Sequence, residues 1–293
     1  MMNDVSDAVV HRSVKRCIAA LAGCAFAALA LSAHAADAVL TVVVAGHTDT
    51  YTLESLQNHA EATTITIPRD VSYRREMTYR AVPAAALLRG LPPDATVRFT
   101  ASDGFAATLP GAPLLAGGEG ARAYLAIEPP DAPWPPLRAT DTATAGPFYL
   151  VWVRPERGRI VPEEWPYKVA RMEQVASLPK RFPAIAPAST VAPDSGVNRG
   201  FSVFLRNCIV CHTINLGGDG TIGPDLNVPY NITEYLRADA LRRLIRDPQS
   251  QRVWPASRMP PFDASILSDR DYNDLLAYLR HMTNRKVSVP VPK

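Results

Sequence analysis

Residues 208–212 read Cys-Ile-Val-Cys-His, and this pentapeptide constrains the fold more than any other stretch. Two thiols separated by two residues can each add to a vinyl group of one haem. The histidine that follows then lies under the iron as an axial ligand. A chain built this way must wrap a flat, largely apolar group. A disulfide or half of a zinc site are the competing readings. The chain has four cysteines, Cys17, Cys24, Cys208 and Cys211. The first two lie in the N-terminal leader, so no second pair remains to complete a zinc site.

The flanking sequence supports haem. Gly200 and Phe204 precede Cys208 by eight and four residues, on one face of a helix that also carries Phe201 and Leu205. Gly223-Pro224-Asp225-Leu226 follows, then Arg258-Met259-Pro260-Pro261-Phe262. Ser268 with Asp271 forms a capping signal, and Tyr272, Leu275, Leu276 and Leu279 recur at helical spacing up to Met282. Together these segments resemble a class I cytochrome c over residues 198–286. The resemblance implies that the first and last helices cross at Gly200, with Leu275 and Tyr278 as the contact. It also implies that the Pro224 carbonyl accepts a hydrogen bond from His212, and that Met259 is the second axial ligand. The expected cofactor is one covalent haem c on Cys208 and Cys211, its iron held by His212 and Met259. His281, on the final helix and expected to be exposed, is the alternative sixth ligand.

The N-terminus carries export signals. His11, Arg12, Lys15 and Arg16 precede an apolar run from Cys17 to Leu31, and Ala33-His34-Ala35 is a small-x-small cleavage site. Residues 1–35 read as a signal peptide and the mature protein as periplasmic. Retention as an anchor, or lipidation at Cys24 within Leu21-Ala22-Gly23-Cys24, are the alternatives, and they are the only routes to membrane association. The formal charge is +3; losing three cations and two anions with the leader leaves +2. Nothing in that balance points to nucleic acid.

Residues 36–178 read as a separate, mostly β or α+β domain. Val39–Ala45, Thr63–Ile67, Thr96–Thr100 and Phe148–Val153 have strand patterns, Ala84–Arg89 a helical one, and residues 128–137 form a proline-rich loop. Residues 179–197, with four prolines, read as an extended connector that leaves the haem domain free to move, and 287–293 as a short tail. Three segments carry a second resemblance. Tyr79-Arg80-Ala81-Val82-Pro83, Asp103-Gly104-Phe105 and Gly146-Pro147-Phe148-Tyr149-Leu150-Val151, followed by Trp165 and Met172-Glu173, resemble the molybdopterin-binding domain of the sulfite oxidase family. That family holds its metal partly through a cysteine thiolate, whereas no cysteine lies between Asp37 and Asn207 here. The arginine expected after Gly-Pro is replaced by Phe148 or Tyr149. Molybdopterin is therefore not expected, and the domain reads as a non-catalytic scaffold. His47, His59, Asp103 and the Glu163-Glu164 pair have no known ligand spacing.

The chain thus reads as an exported one-electron carrier. With both axial positions filled, no open site remains for a substrate. Its N-terminal domain would dock or orient a redox protein. Electrons are expected to pass through an exposed haem edge near the thioether bridges. Arg237, Arg242, Arg243, Arg246, Arg252 and Arg258 would steer an acidic partner or simply be a solvated face. The alternative is an oxidoreductase whose N-terminal domain oxidises a small substrate and passes electrons to the haem in cis. A third reading is a subunit that recruits a separate dehydrogenase or oxidase.

Overall fold

The computed structural model describes residues 38–139, 142–254 and 257–288. The leader, Cys24 and most of the C-terminal tail lie outside them. Residues 39–175 form nine strands in two sheets. β1 (Val39–Val44), β2 (His47–Thr52), β5 (Thr96–Ala101), β6 (Ala106–Pro110) and β9 (Val169–Val175) make the first, in the order β2-β1-β9-β5-β6. β3 (Thr63–Ile67), β4 (Met77–Pro83), β7 (Arg122–Ile127) and β8 (Phe148–Val153) make the second, in the order β3-β4-β7-β8. All pairings are antiparallel except β1 with β9.

Side-chain alternation explains the first sheet. Leu40, Val42 and Val44 of β1 and Val97 and Phe99 of β5 point inward, while the intervening residues are partly exposed. In the second sheet β8 is buried along almost its whole length, as a run of large apolar residues requires. Both sheets feed one core that includes Phe99, Leu125, Leu150 and Trp152.

The described residues from 178 to 285 form helices joined by long loops. Three longer helices dominate: α1 (Gly196–Asn207), α2 (Ala238–Arg246) and α3 (Asp269–Met282). Ser268 caps α3, accepting from Asp271 N at 3.1 Å. α1 crosses α3 closely at Gly200, where an added Cβ would meet Asp274 O at 1.8 Å and Leu275 N at 2.9 Å. Only glycine lets the two backbones approach this far. Phe201 and Phe204 then stack against Tyr278, at 5.3 and 5.4 Å between ring centroids. Arg199 pairs with Asp274 across the same crossing at 2.7 Å. Among the described residues no helix is long and apolar enough to cross a membrane.

Two expectations need correction. Residues 179–197 are not a free connector. Leu178–Arg181 is one helical turn and Pro183–Ile185 a 3-10 turn, and Leu178 and Ile185 are buried in the helical core. The Ile185 carbonyl accepts from Tyr278 Oη at 2.7 Å, and the Ala184 carbonyl from Asn215 Nδ2 at 2.9 Å. The prolines stiffen the segment, but Phe182 and Ile185 have a core to enter, and burial outweighs free movement. His281 is half-buried rather than exposed, because Ala188 N donates to its Nε2 at 3.0 Å.

Replacing Gly200 with alanine should force α1 and α3 apart. We expect a loss of about 2–3 kcal/mol in urea unfolding, the upper range for overpacking. A variant as stable as the parent would show that the helices do not depend on this approach.

Candidate haem site

The haem motif begins where α1 ends. Cys208 N still bonds Phe204 O at 3.0 Å, then the chain tightens, with Cys211 N and His212 N both donating to Cys208 O at 3.1 and 2.9 Å. One turn thus carries both sulfurs and the histidine. Cys208 and Cys211 are not joined in a disulfide. Burial, and then the nearby Glu163 carboxylate, push the Cys208 thiol up to about 12 and the Cys211 thiol to about 11.

His212 Nδ1 lies 2.8 Å from the Pro224 carbonyl. A carbonyl can only accept, so Nδ1 carries the proton and Nε2 keeps its lone pair for a metal. Burial lowers the His212 pKa, which favours the neutral, ligating form. The imidazole also fills the space that a side chain at residue 223 would need, since a Cβ on Gly223 would fall 2.3 Å from Cε1. This ring, with one nitrogen clamped, one free and two thiols in the preceding turn, fits a covalent haem.

Asp225 locks the turn in place. Its carboxylate accepts from Thr213 Oγ1, Leu216 N, Asn227 N and Val228 N at 2.7–2.9 Å. Behind it, buried Asn215, Asn227 and Asn231 form a ladder, Asn227 Nδ2 to Asn215 Oδ1 and Asn231 Nδ2 to Asn227 Oδ1, each 2.7 Å. The ladder ends on the Met282 and Leu279 carbonyls of α3. Asp225 stands in the Gly-Pro-Asp-Leu segment with no role expected of it, and the three asparagines are not singled out by the sequence. Their signal was the density of Asp and Asn after the haem motif, residue types that bond neighbouring backbone.

Met259 is half-buried and packs on the same helical core as Cys208. Its segment is pinned by Phe262, whose N donates to Ile245 O at 3.0 Å. Arg246 holds the far side, donating to the Phe262 carbonyl at 2.8 Å and to the Leu267 carbonyl, and pairing with Asp269 at 2.7 Å. Arg246 was expected only as part of a basic face, but it positions the Met259 segment. Arg237, Arg242 and Arg243 are likewise paired, with Asp239 or Asp269, and Arg252 and Arg258 are exposed cations.

Residues 197–283 match the family model Cytochrome c. The C-terminal region is a cytochrome c domain, and the match supports covalent haem c and haem-based electron transfer. Comparison with the curated proteins finds no match.

The cytochrome domain does not stand apart from the sheets. Val210, inside the haem motif, is buried in the N-terminal core, and Cys211 packs against it. Asp219 pairs with Arg181 at 2.5 Å and lies 3.9 Å from Arg98 of β5, while Thr108 of β6 donates to it at 3.2 Å. Arg206 donates to the Arg159 carbonyl and lies 3.6 Å from Glu164. The thioether side, expected to be open, is therefore covered by the N-terminal domain. An apolar Val210 between the two cysteines gains more from burial than from water. His47, His59 and Asp103 are not brought together. His47 faces Asp49, His59 accepts from Glu61 N, and Asp103 faces Lys168. Among the described residues no cluster of three or more His, Cys, Asp or Glu could hold a metal ion.

Two tests follow from this geometry. Although burial opposes it, Arg181 and Arg98 hold Asp219 below the usual carboxylate range. Asp219→Asn should cost about 2 kcal/mol, between the values for exposed and fully buried pairs. That difference should be complete above pH 3.8 and vanish as pH falls through the lower folded-state value. Paired urea titrations at neutral and acid pH would show it; an equal difference at both would remove the charge from the explanation. Arg246→Ala should leave haem attached yet weaken the red absorption of a methionine–iron bond, and the band should be lost at a lower temperature than in the parent. An unchanged band would mean that Arg246 does not position Met259.

Proposed function

We propose that the protein is an exported electron carrier that cycles one haem c between ferric and ferrous states. The observation that carries this is the His212 Nδ1 bond to Pro224 within the Cys-x-x-Cys-His turn, which leaves Nε2 for iron. Met259 on the same core supplies the sixth ligand. A soft thioether favours ferrous iron, and an apolar surround limits water, so both raise the potential. With both axial positions taken, the iron exchanges electrons and binds no substrate. The leader of basic residues and apolar run supports export to the periplasm.

The N-terminal domain serves as a docking and orienting module. Its cover over the thioether side leaves electron exchange to the face around Met259. The absence of any cysteine between Asp37 and Asn207 favours this over oxidation of a substrate in cis, because no thiolate can anchor a pterin-bound metal.

Acid–acetone should fail to strip haem from the denatured protein, and Met259→Ala should abolish the red methionine–iron band. Metal analysis should give about one iron per chain and no stoichiometric molybdenum. Release of free haem, loss of the band in His281→Ala instead, or sulfite-dependent haem reduction by the pure protein would each overturn the reading.

A further inference from the structure

Between the sheets and the haem turn lies a cavity of about 420 Å³. Ile209, Val210 and Arg206 line it from the cytochrome side, and Leu109, Glu163 and Leu178 line it from the other. Glu163 sits in the 3-10 turn Pro162–Glu164. That turn is rigid, because Glu164 Oε2 accepts from Val161 N at 2.8 Å and Trp165 beside it is buried. Glu163 Oε2 is buried and has no hydrogen-bond partner in the protein. A carboxylate in that position should be strongly disfavoured unless something makes use of it.

The charged groups around Glu163 are few. The cavity lining contains three ionisable side chains, Glu163, Glu164 and Arg206; β6 and the Leu178 turn contribute Thr108, Leu109, Ser177 and Leu178. Arg206 is occupied by the Arg159 carbonyl and Glu164. Ile209 and Val210, the two residues between the cysteines, share the cavity with Glu163, and its charge acts on both Cys208 and Cys211. In the holoprotein those sulfurs are bonded to the porphyrin edge, so a charge that reaches them also reaches the iron.

We propose that Glu163 is the proton partner of the haem: its carboxylate takes up one proton when the iron gains one electron, and releases it when the electron leaves. The inference rests on the reading of Cys208, Cys211 and His212 as a haem site. The balance is simple. Ferric iron and a carboxylate, with one electron from a donor redox protein and one proton from hydronium in the bulk solvent, become ferrous iron, a carboxylic acid and water. One O–H bond forms on Glu163 and one O–H bond of hydronium breaks. The direction follows from electrostatics, since a negative charge near the haem favours the ferric state and added electron density raises the proton affinity of the carboxylate. Burial, with the Glu164 charge adding to it, places Glu163 at about 7, where it titrates under ordinary conditions.

The test is redox titration of the full-length holoprotein on both sides of pH 7. The parent potential should fall as pH rises. If reduction raises the proton affinity of Glu163 tenfold, the acid and alkaline plateaus differ by about 59 mV. Glu163→Gln should flatten the dependence and raise the potential at alkaline pH. The reduced-minus-oxidised infrared spectrum of the parent should gain a carboxylic-acid C=O band that the variant lacks. A pH-independent parent, a parent without that band, or a Gln variant that keeps the parent slope would each sink the proposal, the last by assigning the proton to another group such as a haem propionate. If Glu163→Gln fails to fold, Glu163→Asp should shift both that band and the pH at which the potential changes, and a band and profile unmoved by that change would overturn the proposal. Covalent haem with a flat pH profile refutes Glu163 only, whereas extractable haem refutes the site itself.

Discussion

The crossing of α1 over α3 at Gly200 sets the position of everything the cytochrome domain does. With no Cβ between the backbones, α1 lies deep enough for Phe201 and Phe204 to reach Tyr278. That fixes where α1 ends, and its last turn delivers Cys208. A displaced α1 would carry Cys208, Cys211 and His212 with it. The ion pair between Arg199 and Asp274 holds the same crossing from outside but is partly exposed, so packing at Gly200 is the stronger constraint.

From that anchor the site is held on three sides. The Pro224 carbonyl orients His212, and Asp225 ties the following loop to its own backbone. The asparagine ladder returns the loop to the end of α3, so both ends of the haem segment refer to one helix pair. Arg246 does the equivalent for the Met259 segment. Each support is a side chain bonding backbone carbonyls or amides, an arrangement that fixes ligands without contributing to the apolar box.

The cytochrome half was legible because its chemistry needs fixed spacings. The Cys-x-x-Cys-His turn, Gly200, Phe204, Pro224 and the closing helix all lie where those spacings put them. Strands with β-branched alternation, such as Val39–Val44 and Thr63–Ile67, were legible for the same reason. Arg122–Ile127 was not read as a strand: its alanines carry no β signal, and its place in the second sheet is set by β4 and β8 on either side. His47–Thr52 is polar and lies at a sheet edge, so its pattern resembles a loop. The connector is not legible from sequence because four prolines suggest extension, while the packing of Phe182 and Ile185 depends on a surface remote in sequence. The cover over the thioether side rests on contacts between parts of the chain about a hundred residues apart, which no local pattern encodes.

The cavity between the two parts also holds unsatisfied polar groups. Glu163 Oε2 and Arg206 Nε, on two residues that line it, are both buried without partners in the protein. Each such group typically costs about 1–3 kcal/mol. A junction meant only to hold two domains together would replace them with apolar contacts, which are stabilising at no such cost. Here the holding is done elsewhere, by Val210 in the sheet core and by Asp219 with Arg181 and Arg98. Glu163, unlike Arg206, is therefore surplus to cohesion. A carboxylate whose charge acts on both cysteines is what a domain needs if it sets the electrostatic environment of a haem as well as covering one side of it.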